Sequence, residues 1–214
     1  MGEISYKQEV FRKLIHLSSL WMVCAIIILQ EHRVGLGIFF AVCCILNIIV
    51  EKLVILQVPV ITPLYGFFFK NMLRSEAKSA KWVISGSPPV WAAAALATLL
   101  FPTAAGASGL AIMLIADTAA ALIGRRFGKH KTVNNKSIEG IIAFNIAGII
   151  CLAVISCFFN QAQSYLYYIV GSAGVFASSM AELFEKQLHL DDNFSIVIIN
   201  GAFLSLGLYL VQNF

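Results

Sequence analysis

The chain has 214 residues, of which 59% are hydrophobic and only 12% are charged, about half of the charged fraction of an ordinary soluble domain. This composition excludes a water-soluble globular fold and predicts an all-α, polytopic bundle of membrane-spanning helices in one domain over residues 1–214. The net charge of +4 is typical of loops beside a membrane, and no nucleic-acid-binding element accompanies it, so we expect no nucleic-acid partner.

Seven apolar stretches approach the roughly 20 residues that a bilayer-spanning helix needs. The predicted spans are 14–30, 34–50, 83–100, 104–123, 140–159, 164–184 and 194–211. Residues 51–82 interleave aromatic and aliphatic residues with basic ones, which predicts a cytosolic amphipathic segment; a re-entrant or eighth membrane helix over 53–69 is the alternative. No cleavage site follows the first stretch, so we interpret it as a signal anchor. The five cysteines all lie inside spans without C-x-x-C spacing and are interpreted as packing residues.

The distribution of basic residues sets the predicted orientation, since Lys and Arg near span ends stay on the cytosolic side. With the N-terminus in the cytosol, every Lys and Arg except Arg33 falls on that side. This bias favours seven spans. So compact a chain suits a bacterial cytoplasmic membrane, and an oligomer is compatible with the sequence.

The densest polar run joins the fourth and fifth predicted spans and begins inside a helix. Asp117 lies in an apolar segment, where insertion scales assign a central carboxylate about 2.5–3.5 kcal/mol. It precedes Gly124 by about two helical turns, or roughly 10 Å, and so faces the side on which the following loop begins. We expect a bound cation or the basic residues of that loop to offset its charge.

The loop over residues 124–139 has the pattern of a polyphosphate-binding segment. Gly124 and Gly128 let a backbone approach a ligand closely, and basic side chains supply the charge that phosphates require. Asp117 and Glu139, at the membrane ends of the flanking helices, are candidate Mg²⁺ ligands. Ordinary positive-inside charge with a glycine turn explains the same residues, and G-x-x-x-G-K lacks the Ser or Thr that completes a P-loop. The basic residues are Arg125, Arg126, Lys129, Lys131 and Lys136.

Two further polar groups are predicted on the same surface. Residues 191–193, with the sequence Asp-Asp-Asn, precede the last span and follow Glu182 and Glu185. Arg12 and His16 are four residues apart on the first span and share a helical face. A solvated acidic turn, and a juxtamembrane Arg with a packed His, are the alternatives.

In their order along the chain, these motifs resemble the signature of the CTP-dependent lipid kinase family, which contains dolichol kinase, phytol kinase and CTP-dependent diacylglycerol kinase. The resemblance covers most of the chain. Pro88-Pro89 departs from it, since an uninterrupted apolar helix is expected there. The longer acidic signature of the distantly related phosphatidate cytidylyltransferases is absent. The matching residues are Arg12-Lys13-x-x-His16, Ser85-Gly86, Asp117-Thr-Ala-Ala, Gly124-Arg125, Gly128-Lys129, Lys136-Ser137-x-Glu139-Gly140 and Asp191-Asp192-Asn193.

The resemblance implies a membrane kinase domain that uses Mg²⁺ to transfer the γ-phosphoryl group of CTP to the hydroxyl of a lipid in the bilayer. An isoprenoid alcohol of the polyprenol, dolichol or phytol type is the preferred substrate, and diacylglycerol is the first alternative. The implied site residues are Asp117, Glu139, Asp191 and Asp192 for the metal, Asp117, Asp192 and Lys136 for catalysis, and Arg12, His16, Gly124, Arg125, Gly128, Lys129, Lys131, Lys136 and Ser137 for the nucleotide.

Two other functions remain as alternatives. A phosphatidate cytidylyltransferase-like enzyme would use the same nucleotide and transfer CMP. A lipid transporter would place polar residues near the membrane midplane, whereas here the acids and bases lie at one face. The polar exceptions are Asn47, Asn145 and Asn200, which we interpret as side chains that bond between helices.

Overall fold

The computed structural model describes residues 6–59, 61–63, 86–188 and 191–213. The regular structure of these residues is helical, which confirms the predicted all-α class for this part of the chain. Residues 51–55 continue a long helix, while most of the predicted amphipathic segment, 64–82, lies outside the described residues. The α-helices are α1 Tyr6–Ser18, α2 Leu20–Ile28, α3 Arg33–Ile55, α4 Ser87–Leu100, α5 Thr103–Phe127, α6 Ile138–Ser156, α7 Tyr165–Leu183, α8 Glu185–Leu188 and α9 Asp192–Asn213.

Among the described residues, five helical segments are long and apolar enough to cross a membrane: α1 with α2, α3, α5, α6 and α9. This composition is that of an integral membrane protein. α4 has only 14 residues. α7 has 19 residues but is not among the five, because tyrosines, serines and glycines interrupt its aliphatic residues. Seven spans and a cytosolic N-terminus therefore stay predictions.

The two prolines that depart from the family pattern lie at the start of a helix. α4 begins at Ser87, so that Pro88 and Pro89 occupy its first turn. Proline is tolerated there because a backbone N–H in the first turn has no partner within the helix. The prolines therefore begin the helix and do not interrupt it.

α5 lies at the centre of the bundle, in contact with α1, α2, α4, α6 and α9. It is the most buried of the five candidate spans, and its small residues allow this. A Cβ on Gly106 would overlap the carbonyl oxygen of Ala97 on α4, and one on Gly109 would lie 3.3 Å from the carbonyl oxygen of Val197 on α9. Small residues let membrane helices approach closely. Asp117 is therefore carried by the most enclosed helix.

Side-chain hydrogen bonds join helices inside the bundle. Each of the three asparagines predicted to bond between helices does so, which confirms that interpretation. Such bonds are worth about 0.6 kcal/mol each on average in membrane proteins, so they align helices more than they hold them together. The bonded pairs are Asn47 with Ser87, Asn145 with Ser179, and Asn200 with Ser178.

Candidate active site

Asp117 on α5 forms a buried ion pair with the first helix. Its Oδ2 accepts a hydrogen bond from Lys13 Nζ at 2.5 Å, and both side chains are less than a tenth exposed. His16 Nε2 lies 3.5 Å from the same oxygen. Lys13 and His16 are three residues apart, so both face α5 from one side of α1. A lysine of α1, which the sequence analysis did not name for this role, therefore offsets the charge of Asp117 in the structure, and the bound cation that it considered stays a prediction.

A second carboxylate, Glu9, joins two arginines that the sequence assigned to the nucleotide. Its carboxylate accepts hydrogen bonds from Arg12 Nη2 at 2.6 Å and Arg12 Nε at 3.2 Å, and lies 3.6 Å from Arg125 Nη2. Glu9 is 1% exposed, and a carboxylate so deeply buried needs such partners. Glu9 therefore attaches the start of α1 to the end of α5.

Lys136, the predicted phosphate clamp, reaches the end of α7. Its Nζ donates to the carbonyl oxygen of Glu182 at 2.6 Å and to Glu182 Oε1 at 2.9 Å, and lies 3.5 Å from Glu185 Oε2. Burial alone would lower the pKa of Lys136, but the carboxylates of Glu182 and Glu185 outweigh it and raise that pKa above its ordinary value. In this structure the ammonium group is therefore held by carboxylates.

The acidic motif at residues 191–193 joins the same group of charges at the start of α9. Asp191 Oδ1 and Asp192 Oδ1 both accept hydrogen bonds from the backbone N–H and the side-chain amide of Asn193. The carboxylate of Asp192 is also near enough to the carboxylates of Asp117 and Glu185 for their negative charges to repel it. The start of α9 is thus next to α5 and to the α7–α8 corner, which comprises the end of α7 and the short helix α8 over residues 182–188.

These contacts define one group of charges, which we call the charged end. It brings together the three polar groups that the sequence predicted on one surface, although they are far apart along the chain. Its described acids are Glu9, Asp117, Glu182, Glu185, Asp191 and Asp192, and its described bases are Arg12, Lys13, Arg125 and Lys136, with His16 beside Asp117.

The glycines of the predicted loop have a packing role. A Cβ on Gly128 would overlap the carbonyl oxygen of Gly124, and one on Gly124 would lie 3.1 Å from Ser137 Oγ. Ser137 is the N-cap of α6, where its Oγ accepts a hydrogen bond from the backbone N–H of Gly140. The space left by these glycines is therefore filled by the loop itself, which packs against the end of α5.

Glu139, in the first turn of α6, contacts the preceding loop and is not in the ion pairs given above for the charged end. Its carboxylate accepts hydrogen bonds from the backbone N–H groups of Lys129 and His130, and the ring Nδ1 of His130 lies 2.8 Å from Glu139 Oε1. Lys129 and Lys131 are exposed. Among the described residues, no three His, Cys, Asp or Glu side chains are grouped so as to hold a metal ion. The predicted four-carboxylate metal set is therefore not gathered around one point in this part of the chain.

Sequence reasoning missed four members of the charged end as site residues: Lys13, Glu9, Glu182 and Glu185. A signal for Lys13 was present, because it shares a face of α1 with His16. Glu182 gave a weaker signal, since it ends an apolar helix one turn after Ser178. Glu9 gave none, because its burial depends on how α1 packs against α5.

Comparisons with known proteins identify a kinase among similar proteins. The chain is 28% identical to CTP-dependent diacylglycerol kinase 1 of Schizosaccharomyces pombe over 163 residues, which are 69% of this chain and 70% of that protein. It is 26% identical over 129 residues to an uncharacterized protein of Rickettsia prowazekii, of whose length the match spans 61%. No family model and no solved structure matches the chain. The chain is thus similar to a CTP-dependent lipid kinase, in agreement with the ordered motifs.

Proposed function

We propose that this protein is a CTP-dependent lipid kinase whose active site is the charged end, on the cytosolic face of a bacterial cytoplasmic membrane. The observation that carries the proposal is the convergence of Lys13, Asp117, Lys136 and Asp192, from four separate parts of the chain, close to the starts of α6 and α9. The similarity to a CTP-dependent diacylglycerol kinase supports it. A lipid hydroxyl lies at the membrane interface, which is where the starts of α6 and α9 would lie if these helices cross the membrane.

Mg²⁺ is the cofactor that we propose. Magnesium in phosphoryl-transfer sites is usually held by one or two carboxylates, with substrate phosphates and waters as the other ligands, so a cage of protein groups is not required. Asp117 and Asp192 interact electrostatically and would provide such a pair, with Asp191 adjacent. Among the described residues, the charged end has six carboxylates and four permanently basic side chains, an excess that favours a divalent cation. When bound, Mg²⁺ would neutralise phosphate charge during transfer.

The chain's own residues would bind and orient the nucleotide. Lys13 and Lys136 would exchange a carboxylate partner for a phosphate oxygen, and Arg12 and Arg125 would contribute the remaining positive charge. Asp117 or Asp192 would accept the proton of the lipid hydroxyl as its oxygen attacks the γ-phosphorus of CTP and CDP leaves. Gly124, Gly128 and Ser137 would keep the loop against α5, while the exposed Lys129 and Lys131 would meet the nucleotide from the solvent side.

The substrate that we propose is an isoprenoid alcohol, following the sequence interpretation. Diacylglycerol is the second candidate, favoured by the activity printed in the name of the Schizosaccharomyces pombe relative. A competition experiment distinguishes these two candidate substrates. With both lipids at equal mole fraction in one micelle, the preferred alcohol takes most of the label.

The test uses purified protein in detergent with CTP labelled at either the γ- or the α-phosphorus. A kinase produces a labelled lipid monophosphate from γ-labelled CTP and leaves the lipid unlabelled from α-labelled CTP. Lipid labelled only from α-labelled CTP would show a cytidylyltransferase. No transfer from either label across polyprenol, phytol, dolichol and diacylglycerol would refute the proposal and favour a transporter.

A further inference from the structure

The loop between α5 and α6 contains a tight turn, residues 131–137, that has left-handed backbone at its tip. Thr132 donates its N–H to the carbonyl oxygen of Lys136 at 2.7 Å, and Lys131 pairs with Ser137 in an antiparallel bridge. Asn134 and Asn135, at the tip, have φ values of 59° and 62°. Asparagine tolerates this region better than most residues other than glycine. The backbone alone therefore accounts for an asparagine at either position.

Within the described part of the chain, only one of these two asparagines uses its side chain in hydrogen bonds. Asn134 Nδ2 donates hydrogen bonds to the carbonyl oxygen of Leu183 at 2.9 Å and to Gln187 Oε1 at 2.8 Å. Leu183 is the last residue of α7, and its carbonyl oxygen is one that a helix cannot satisfy within itself. Asn135 is exposed, and its side chain makes no hydrogen bond in the described part of the chain. The amide of Asn134 is thus placed to join the turn to the α7–α8 corner.

This contact lies beside the one made by Lys136. Two residues after Asn134, Lys136 Nζ bonds to Glu182, the residue that precedes Leu183. A lysine side chain has four rotatable bonds, so its own contacts leave the backbone of the turn free to move. An asparagine side chain has only two, and both N–H groups of Asn134 are used. The backbone position of Lys136 therefore depends more on Asn134 than on Lys136 itself.

We propose that Asn134 is a positioning residue of the nucleotide site, which fastens the 131–137 turn to the α7–α8 corner and so places Lys136 for a phosphate of CTP. The nucleotide role rests on the proposed function. The attachment of the turn does not.

The experiment compares Asn134→Gly and Asn134→Asp with Asn135→Gly as the matched control. Glycine retains the left-handed backbone and removes the amide, and aspartate is nearly isosteric with asparagine but turns two donors into acceptors. Hydrogen exchange of the intact protein in detergent, read in peptides that cover 131–138, should accelerate about tenfold in both Asn134 variants, because the two lost bonds lower the local opening energy. In Asn135→Gly, exchange should stay within about twofold of wild type.

Kinetics then separate positioning from general structure. KM for CTP should rise about tenfold in Asn134→Asp, while kcat stays within about twofold of wild type. The reason is that the turn contributes CTP-binding energy that is equal in the ground state and in the transition state. Asn135→Gly should change neither. Unaltered exchange in the Asn134 variants would overturn the attachment, and faster exchange with unchanged KM would overturn the nucleotide role. If the wild type transfers no phosphate, the proposed function and the nucleotide role both fail, and the exchange result still decides the attachment.

Discussion

Breaking the Lys13–Asp117 pair should destabilise the bundle far more than an ordinary lysine substitution. The side chains are 3% and 7% exposed, and Nζ is 2.5 Å from Oδ2, so solvent screens the pair little. Removing one partner of such a buried pair leaves an uncompensated charge and lowers the free energy of unfolding by about 3–5 kcal/mol. We expect this loss for Lys13→Met, with His16 as the remaining partner of Asp117.

The double variant Lys13→Met/Asp117→Asn tests whether the effect arises from the pair. With both charges gone, no buried charge is left alone, so the double variant should be more stable than the sum of the single losses predicts by about 2–3 kcal/mol. Lys7→Met is the matched control, since Lys7 is an exposed lysine on the same helix and should change stability by less than about 0.5 kcal/mol.

The assay is reversible unfolding in mixed micelles, followed by the fluorescence of tryptophans such as Trp21 and Trp91. A coupling energy below about 0.5 kcal/mol would refute the assignment of a strong buried pair. Activity gives a second reading. If Asp117 is a metal ligand, the double variant regains stability but stays inactive, whereas recovered activity would restrict Asp117 to a structural role.

Two other predictions follow from the loop. Gly128→Ala should destabilise the protein by about 1–3 kcal/mol in the same unfolding assay, because the added Cβ overlaps the Gly124 carbonyl oxygen. Gly35→Ala is the matched control, since nothing lies within 4 Å of its added Cβ. It should be neutral or stabilise the protein by up to about 1 kcal/mol. The ion pairs of Lys136 raise its pKa in the folded protein. They therefore stabilise the fold fully at pH values below the ordinary lysine pKa of about 10.4. This stabilisation is lost as the pH rises through the higher pKa of the folded state. Unfolding midpoints measured from about pH 8 to pH 11 should therefore fall more steeply in the wild type than in Lys136→Met, and parallel curves would contradict the predicted contribution.

Much of the charged end was accessible from the sequence because connected helices alternate in direction. With seven predicted spans, the start of the first, the loop between the fourth and fifth, and the turn before the last fall on one side of the bundle. This argument needs only the number of intervening helices. It places Arg12, Asp117 and Asp192 on one surface without any knowledge of helix packing.

The partners within that surface could not be predicted in this way. Arg12 and Lys13 point about 100° apart on α1, and His16 is within one turn of both, so periodicity cannot decide which of them meets Asp117. The rotation of α1 decides it, and that rotation is set by packing against α5. The packing role of the glycines could not be predicted for a related reason. A sequence shows that Gly124 and Gly128 leave space, and only the fold shows that Ser137 and the backbone of the loop fill it.

The pairing of charges has a consequence for the proposed reaction. Arg12, Lys13 and Lys136 are each bonded to a carboxylate, so a phosphate that binds them competes with Glu9, Asp117 or Glu182 for their positive charge. A displaced buried carboxylate is costly unless another cation replaces the lost one. Mg²⁺ that arrives with the nucleotide would be that cation, since it would neutralise the carboxylates that the phosphates release. Nucleotide and metal would therefore bind together, and the excess of carboxylates among the described residues would disfavour a phosphate that comes without its metal.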